Sequence, residues 1–206
     1  MKTTQSCTLY LVRHGQTDWN VKRLTQGHTD IPLNAVGIDQ AGTMREQLKD
    51  VQFDAVFTSD LLRAQKTAQI LNLERNLALT SAQALRERTY GIFDGKTIEE
   101  THKALGNLLE EYSNHPFIKE SGVETNEKMV ARVLTFIREI SLGYEGKTVL
   151  LVSHGSVMKH LLIHLGFCKA ADFAAKDPIL NLAYIVLSSN GSEVLVKTTF
   201  GVQLTH

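Results

Sequence analysis

Two β-prone runs in this chain each end in a histidine followed by glycine. Leu9-Tyr10-Leu11-Val12 leads into Arg13-His14-Gly15, and Thr148-Val149-Leu150-Leu151-Val152 leads into Ser153-His154-Gly155. A glycine beside each imidazole lets the backbone approach a ligand closely, and Arg13 offers a planar fork that grips an oxyanion through two parallel hydrogen bonds. Phosphate is the anion this set suits. In open α/β sheets ligands occupy the crevice at the carboxyl ends of the strands, so a parallel sheet would bring His14 and His154 to one edge. A lone histidine of this kind is explained as a hydrogen-bonded strand terminus, whereas the repeated strand-His-Gly arrangement favours a shared pocket.

Between the two turns, Thr58-Ser59-Asp60-Leu61-Leu62-Arg63-Ala64 passes from strand to helix, with Ser59 or Asp60 expected as the cap. Amides at a helix start favour an anion, and Arg63 falls in the first turn. Taken alone, Arg63 reads better as a surface arginine; its position just after a strand end is what raises it. A phosphate ester also needs a proton donor, because its leaving oxygen departs poorly as an alkoxide. Leu85-Arg86-Glu87-Arg88-Thr89-Tyr90-Gly91 supplies a carboxylate, and in an extended segment Glu87 points to one face while Arg86 and Arg88 point away from it. A solvated charge run explains that segment as well.

The elements that would position these groups alternate. Strands are expected at Thr8 to Val12, Ala55 to Ser59, Thr148 to Val152 and Ala183 to Leu187, and helices at Ala35 to Leu48, Leu61 to Leu71, Ile98 to Tyr112, Asn126 to Leu142 and Val157 to Leu165. Val130, Val133, Leu134, Ile137 and Ile140 form the clearest helical stripe, behind a cap at Thr125. Ser113 to Val123 reads as a loop. Tyr184 to Thr199 reads as a hairpin closing the sheet edge, with a structural role. The fold class is α/β, a three-layer α/β/α sandwich around a mostly parallel sheet, expected as one domain over residues 1–206.

Lys plus Arg equals Asp plus Glu at 22 each, so no global field draws nucleic acid or an anionic membrane. Without a secretory-type N-terminus or an apolar run near the ~20 residues of a membrane span, a cytoplasmic protein is expected. Cys7 and Cys168 are expected to be reduced and structural.

The residues resemble a known family. Leu11-Val12-Arg13-His14-Gly15-Gln16-Thr17-Asp18-Trp19-Asn20 is similar to the signature of the histidine phosphatase superfamily, the phosphoglycerate mutase-like branch 1. Gln26-Gly27, Asp30-Ile31-Pro32-Leu33, Gly37, Ser59 to Ala64, Leu85-Arg86-Glu87, Gly91, Gly95 and Ser153-His154-Gly155 follow in the family's order. The resemblance implies that His14 attacks phosphorus and carries the phosphoryl group, that Arg13, Arg63 and His154 hold its oxygens with Asn20 and the Gly155 amide assisting, and that Glu87 protonates the leaving oxygen and then activates water. It implies no metal and no other cofactor. Gln26, Gly27, Arg88 and Tyr90 are further candidates for substrate binding, with Lys22 and Arg23 near them. The partner implied is a small phosphorylated metabolite such as a sugar phosphate. Apolar helical faces are compatible with a homodimer, without separating core from subunit interface.

The mutases of this family carry a long insertion between the acid segment and the second histidine turn. Lys96 to Val123 is shorter, which implies a phosphatase; the acid segment itself resembles the mutases, which keeps a phosphoglycerate mutase as the alternative. Gly122-Val123-Glu124-Thr125 departs from a Gly-Gly-Glu pattern common in the phosphatases. Three other readings are weaker. His160 and His164 at helical spacing lack the glutamate of a His-Glu-x-x-His metal site. Ser156 lacks the glycines of a nucleophile elbow. A non-catalytic phospholigand-binding protein would have lost the nucleophile, an arginine or the acid, and all are present.

Overall fold

Adjacent buried residues of the central strands turn to opposite faces, which builds two cores on one sheet. The computed structural model describes residues 5–106, 108, 115–173 and 177–205. Its strands are β1 (Cys7–Arg13), β2 (Ala55–Thr58), β3 (Leu79–Ser81), β4 (Thr148–Ser153), β5 (Ile179–Ser189) and β6 (Val194–Val202). They lie in the order β3-β2-β4-β1-β5-β6, with the first four parallel and β5-β6 added as an antiparallel hairpin. Cys7, Leu9 and Leu11 of β1 join Val149, Leu151, Ile185 and Leu187 in one core, while Val12 joins Val56, Leu150 and Val152 in the other. Burial on both faces is what a parallel sheet requires of its strands.

Helices cover each face, giving the three-layer α/β fold. After the short α1 (Asp18–Val21), α2 (Ala35–Gln47) and α3 (Leu62–Asn72) pack on the Val12 side. Helices α6 (Asn126–Gly143) and α7 (Gly155–His164) pack on the Leu11 side, where Val130, Val133, Leu134, Ile137 and Ile140 are buried. Each such aliphatic side chain stabilises the fold by roughly 1.5–3 kcal/mol on burial. Thr125 caps α6 by accepting from the Lys128 amide at 3.3 Å. Helices α4 (Ile98–Leu105) and α5 (Pro116–Ser121) form a small lobe around Phe93, Leu105, Ile118 and Val123.

Three expectations need correction, and one strand has no counterpart among the expected elements. The stretch read as a loop contains α5, started by Pro116 at its first turn under a His115 cap and stopped by Gly122 at φ 73°; residues 113–114 lie outside the described residues. Helix α4 ends at Gly106, at φ 43°, and residues 107 and 109–112 of the expected span lie outside the described residues. Strand β3 is three exposed residues, too short to leave a periodic pattern. Strand β5 begins at Ile179, well before Ala183, and its early residues reach the site described next.

The sheet gathers the chain at one edge. Thr58 and Val152 are register partners, as are Arg13 and Ser153. The His14 amide donates to the Ser153 carbonyl at 3.0 Å and the Ser59 amide to the Val152 carbonyl at 2.9 Å. The segments leaving β1, β2 and β4 therefore open onto a common crevice.

Candidate active site

That crevice is a cavity of about 200 Å³ whose wall includes Arg13, His14, Asn20, Gln26, Gly27, Arg63, Glu87, Tyr90 and Gly155. His14 is 3% exposed, and its Nδ1 lies 2.7 Å from the Gly15 carbonyl. A carbonyl only accepts, so Nδ1 carries the proton and Nε2 keeps its lone pair. Burial, then Arg63 and Arg13, push the ring's pKa well below the ordinary histidine value, with the Gly15 bond opposing. The turn is tight for a reason: a Cβ on Gly15 would stand 2.5 Å from the Gly37 carbonyl oxygen, so β1 can meet α2 only through glycine. The Gly15 amide donates to Thr67 Oγ1 at 3.1 Å, and the Thr67 hydroxyl donates to the Arg63 carbonyl at 2.7 Å.

His154 is fully buried with its ring centroid 5.2 Å from that of His14, and neither of its ring nitrogens has a partner. Its pKa is likewise well lowered, by burial first and then by Arg63, His14 and Arg13. Arg63 is fully buried and anchored by Nη1 to the Thr29 carbonyl at 2.9 Å and Nη2 to the Gly27 carbonyl at 2.8 Å, leaving Nε unpaired. Burial lowers its pKa to about 10, which leaves it cationic at neutral pH. Arg13 donates Nη1 to the Ile179 carbonyl, and its Nε is also unpaired. Buried donors without partners are expensive unless something polar meets them.

Helix α7 starts at Gly155 with His154 as its N-cap and no side-chain cap from that residue, and Gly155 and Ser156 at its amide end line the cavity. The Ser156 amide donates to Glu87 Oε2 at 3.2 Å and the Arg88 amide to Glu87 Oε1 at 2.9 Å. The Tyr90 and Ser156 hydroxyls pair at 2.9 Å.

Some expected residues lie elsewhere. Arg88 is 1% exposed and faces away from the cavity: Nη2 reaches Asn126 Oδ1 and His160 Nε2, and the guanidinium lies 5.7 Å from the Tyr90 ring centre. Arg86 pairs with Asp60 at 2.6 Å. Neither Ser59 nor Asp60 caps α3 at Leu62; Asp30 Oδ1 accepts from the Leu62 amide at 2.7 Å instead. Arg23 pairs with Glu99 at 2.8 Å and Asp177 at 3.7 Å, and neither it nor Lys22 lines the cavity. His160 and His164 do not join a metal cage, as no group of three or more His, Cys, Asp or Glu among the described residues is arranged for one. No helix among the described residues is long and apolar enough to cross a membrane.

Other residues reach the site without a local signal in the sequence. Asn181 of β5 donates Nδ2 to the His14 carbonyl at 3.1 Å, so the hairpin is more than an edge. Lys159 of α7, His102 of α4 and Asp177 line the same cavity together with Leu24, Ile98 and Ile179.

Strand-end histidines and buried arginines at one edge of a mostly parallel sheet define a phosphoglycerate mutase-like α/β protein. The profile of the histidine phosphatase superfamily (branch 1) matches residues 9–199, and the chain belongs to that superfamily. It is 37% identical over 155 residues to the uncharacterized phosphatase PhoE of Bacillus subtilis, covering 75% of each chain. It is 36% identical over 185 residues to a 2,3-bisphosphoglycerate-dependent phosphoglycerate mutase of Allorhizobium ampelinum, covering 85% of this chain and 84% of that one. Among solved structures, a phosphoserine phosphatase of Entamoeba histolytica in complex with 3-phosphoglyceric acid superimposes with a TM-score of 0.80 at 26% identity, covering 96% of this chain and 98% of that one.

Proposed function

We propose that this chain is a metal-independent phosphomonoester hydrolase acting on a small phosphorylated metabolite, a sugar phosphate or similar, through a phosphohistidine on His14 with Glu87 as general acid and base. One observation carries the reading: His14, with Nε2 unprotonated, shares the cavity wall with Arg13 and Arg63, whose Nε atoms are buried and unpaired, and the His154 ring, also unpaired, is centred 5.2 Å from that of His14. The oxygens of a phosphoryl group would accept from both guanidinium nitrogens and from the one N–H of a neutral His154.

In the first step Nε2 of His14 forms a bond to phosphorus as the bond to the leaving oxygen breaks in line, and Glu87 gives that oxygen its proton. In the second, Glu87 takes a proton from water, the hydroxide attacks phosphorus, the N–P bond breaks, and His14 returns to its neutral state. Splitting the displacement in two lowers each barrier, and Arg13, Arg63 and the amide end of α7 offset charge on the transferring oxygens. The rest of the wall, apolar at Leu24, Ile98 and Ile179 and polar at Lys159, His102 and Asp177, supports a leaving group with both characters.

The mutase reading is kept by a specific observation. The mutase relative aligns over 84% of its own length, so the shortness of Lys96 to Val123 does not separate this chain from it. The deciding experiment measures phosphate release from sugar phosphates, phosphoserine, phosphoglycerates and nucleoside monophosphates in excess chelator, for wild type and His14→Ala, with isomerisation of 3-phosphoglycerate followed alongside. Release that survives chelation and disappears in the variant supports the hydrolase. Isomerisation without net release makes it a mutase, and inactivity in both would favour a phospholigand-binding protein.

A further inference from the structure

Glu87 is held by more than its carboxylate. Its main-chain carbonyl accepts two hydrogen bonds: from His28 Nε2 at 2.9 Å and from Arg132 Nη2 of α6 at 3.1 Å. Because the carbonyl only accepts, the His28 proton sits on Nε2. Arg132 is itself fixed, by a two-point pair with Glu124 at 2.7 and 2.8 Å and by Nη1 on the Ala84 carbonyl at 2.7 Å.

His28 belongs to a strap that also holds the phosphate end of the cavity. The Gly27 and Thr29 carbonyls on either side of it anchor Arg63, and Asp30 caps α3, the helix that carries Arg63. The strap is pressed against Asp94: Gly27 stands at φ 47°, and a Cβ there would meet Asp94 Oδ1 at 2.0 Å. Residues 27–30 thus touch the guanidinium that faces the anion and the backbone of the carboxylate that faces the leaving group.

We infer that His28 is a positioning residue for the general acid: its Nε2–H sets the Glu87 backbone relative to Arg63, so that the carboxyl meets the leaving oxygen of a phosphoryl group held by that arginine. The inference rests on the reading of Glu87 as the acid. Arg132 holds the same carbonyl from α6 and Arg86 ties the preceding residue to Asp60 ahead of α3, while His28 joins that carbonyl directly to the strap whose carbonyls anchor Arg63. A displacement of about 1 Å in such a group lowers a rate by on the order of a hundredfold.

Single-turnover release of the leaving group separates positioning from folding. Glycerol 2-phosphate must leave as a protonated alcohol, whereas the phenolate of 2,4-dinitrophenyl phosphate departs unaided. For His28→Phe we expect a loss of roughly ten- to a hundredfold on the alkyl ester with substrate Kd unchanged, and less than about twofold on the aryl ester. His28→Gln, whose Nε2–H can reach the same carbonyl, should recover most of the loss. Equal losses on both esters, no loss on either, or a Gln variant that melts normally without recovery would overturn the inference. If the Phe variant does not fold, His28→Ala serves the same comparison. Glu87→Gln on the two esters tests the reading underneath: selective loss on the alkyl ester retains the acid, and equal loss removes it whatever His28 does.

Discussion

His14 and His154 face each other at 5.2 Å with their ring planes 60° apart, and they are in opposite hydrogen-bonding states. His14 has committed its Nδ1 proton to the Gly15 carbonyl, so only Nε2 remains to react. His154 has committed nothing. The same burial and the same two arginines keep both rings neutral, which makes one a preset nucleophile and leaves the other's N–H for an oxygen of the group being transferred.

The His14 ring should therefore stay neutral well below the ordinary histidine range. A lowered pKa means that the proton is taken up only under more acidic conditions, so ring resonances of His14 should show the Nδ1–H tautomer unchanged from pH 8 through pH 6. Ring-selective NMR of the free protein checks this directly. Titration near the ordinary value, or a proton on Nε2, would sink the nucleophile assignment.

Arg63→Lys should be far from conservative. The guanidinium spends two nitrogens on the Gly27 and Thr29 carbonyls and keeps Nε for the cavity, a division that a single ammonium cannot reproduce. We expect kcat/KM to fall by roughly a hundred- to a thousandfold, in the range of losing one preorganised donor to a developing charge. Steady-state kinetics beside a melting curve distinguishes this from simple unfolding; activity within about threefold of wild type would remove Arg63 from the transition state.

Which residues were readable from the sequence follows from how local their signals are. His14 and His154 end apolar strands, and only a parallel sheet then brings them together, so the motif and the α/β alternation together implied the crevice. Asn181, Lys159 and His102 reach it from elements whose local patterns record burial and nothing more; that β5 starts at Ile179 is decided by its pairing with β6, not by its own residues. Arg88 was the misleading case. Strand-like alternation turns it away from Glu87 without saying toward what, and the structure sends it to His160 and Asn126 instead of to a substrate. The cap of α3 failed for the same reason, because Asp30 is distant in sequence and adjacent in space.

Lys159 should read the far end of the substrate. It lines the cavity from α7 while its ammonium also lies 5.4 Å from the Phe173 ring centre. Lys159→Met should raise KM for an ester with an anionic leaving group, such as 3-phosphoglycerate, by about tenfold, the worth of one charge-assisted hydrogen bond. KM for glycerol phosphate should hardly change. A parallel rise for both esters would mean that the side chain shapes the cavity without sensing charge.

Acid should weaken the fold through His160. Its Nδ1–H faces the Ser156 carbonyl at 2.8 Å, so Nε2 accepts from Arg88 at 3.3 Å, and the ring must be neutral to do both. Burial, with Arg88 next, lowers its pKa to about 3. The unfolded chain takes up that proton near pH 6.5, so between about pH 6.5 and 3 the unfolded state binds more protons and stability falls as pH falls; above that window the contribution is complete. His160→Gln keeps an acceptor for Arg88 and cannot titrate. Urea unfolding of both proteins at pH 7 and pH 4.5 should show wild type losing on the order of 2 kcal/mol more than the variant over that interval. Equal losses would mean that the Arg88–His160 contact does not hold the ring neutral in solution.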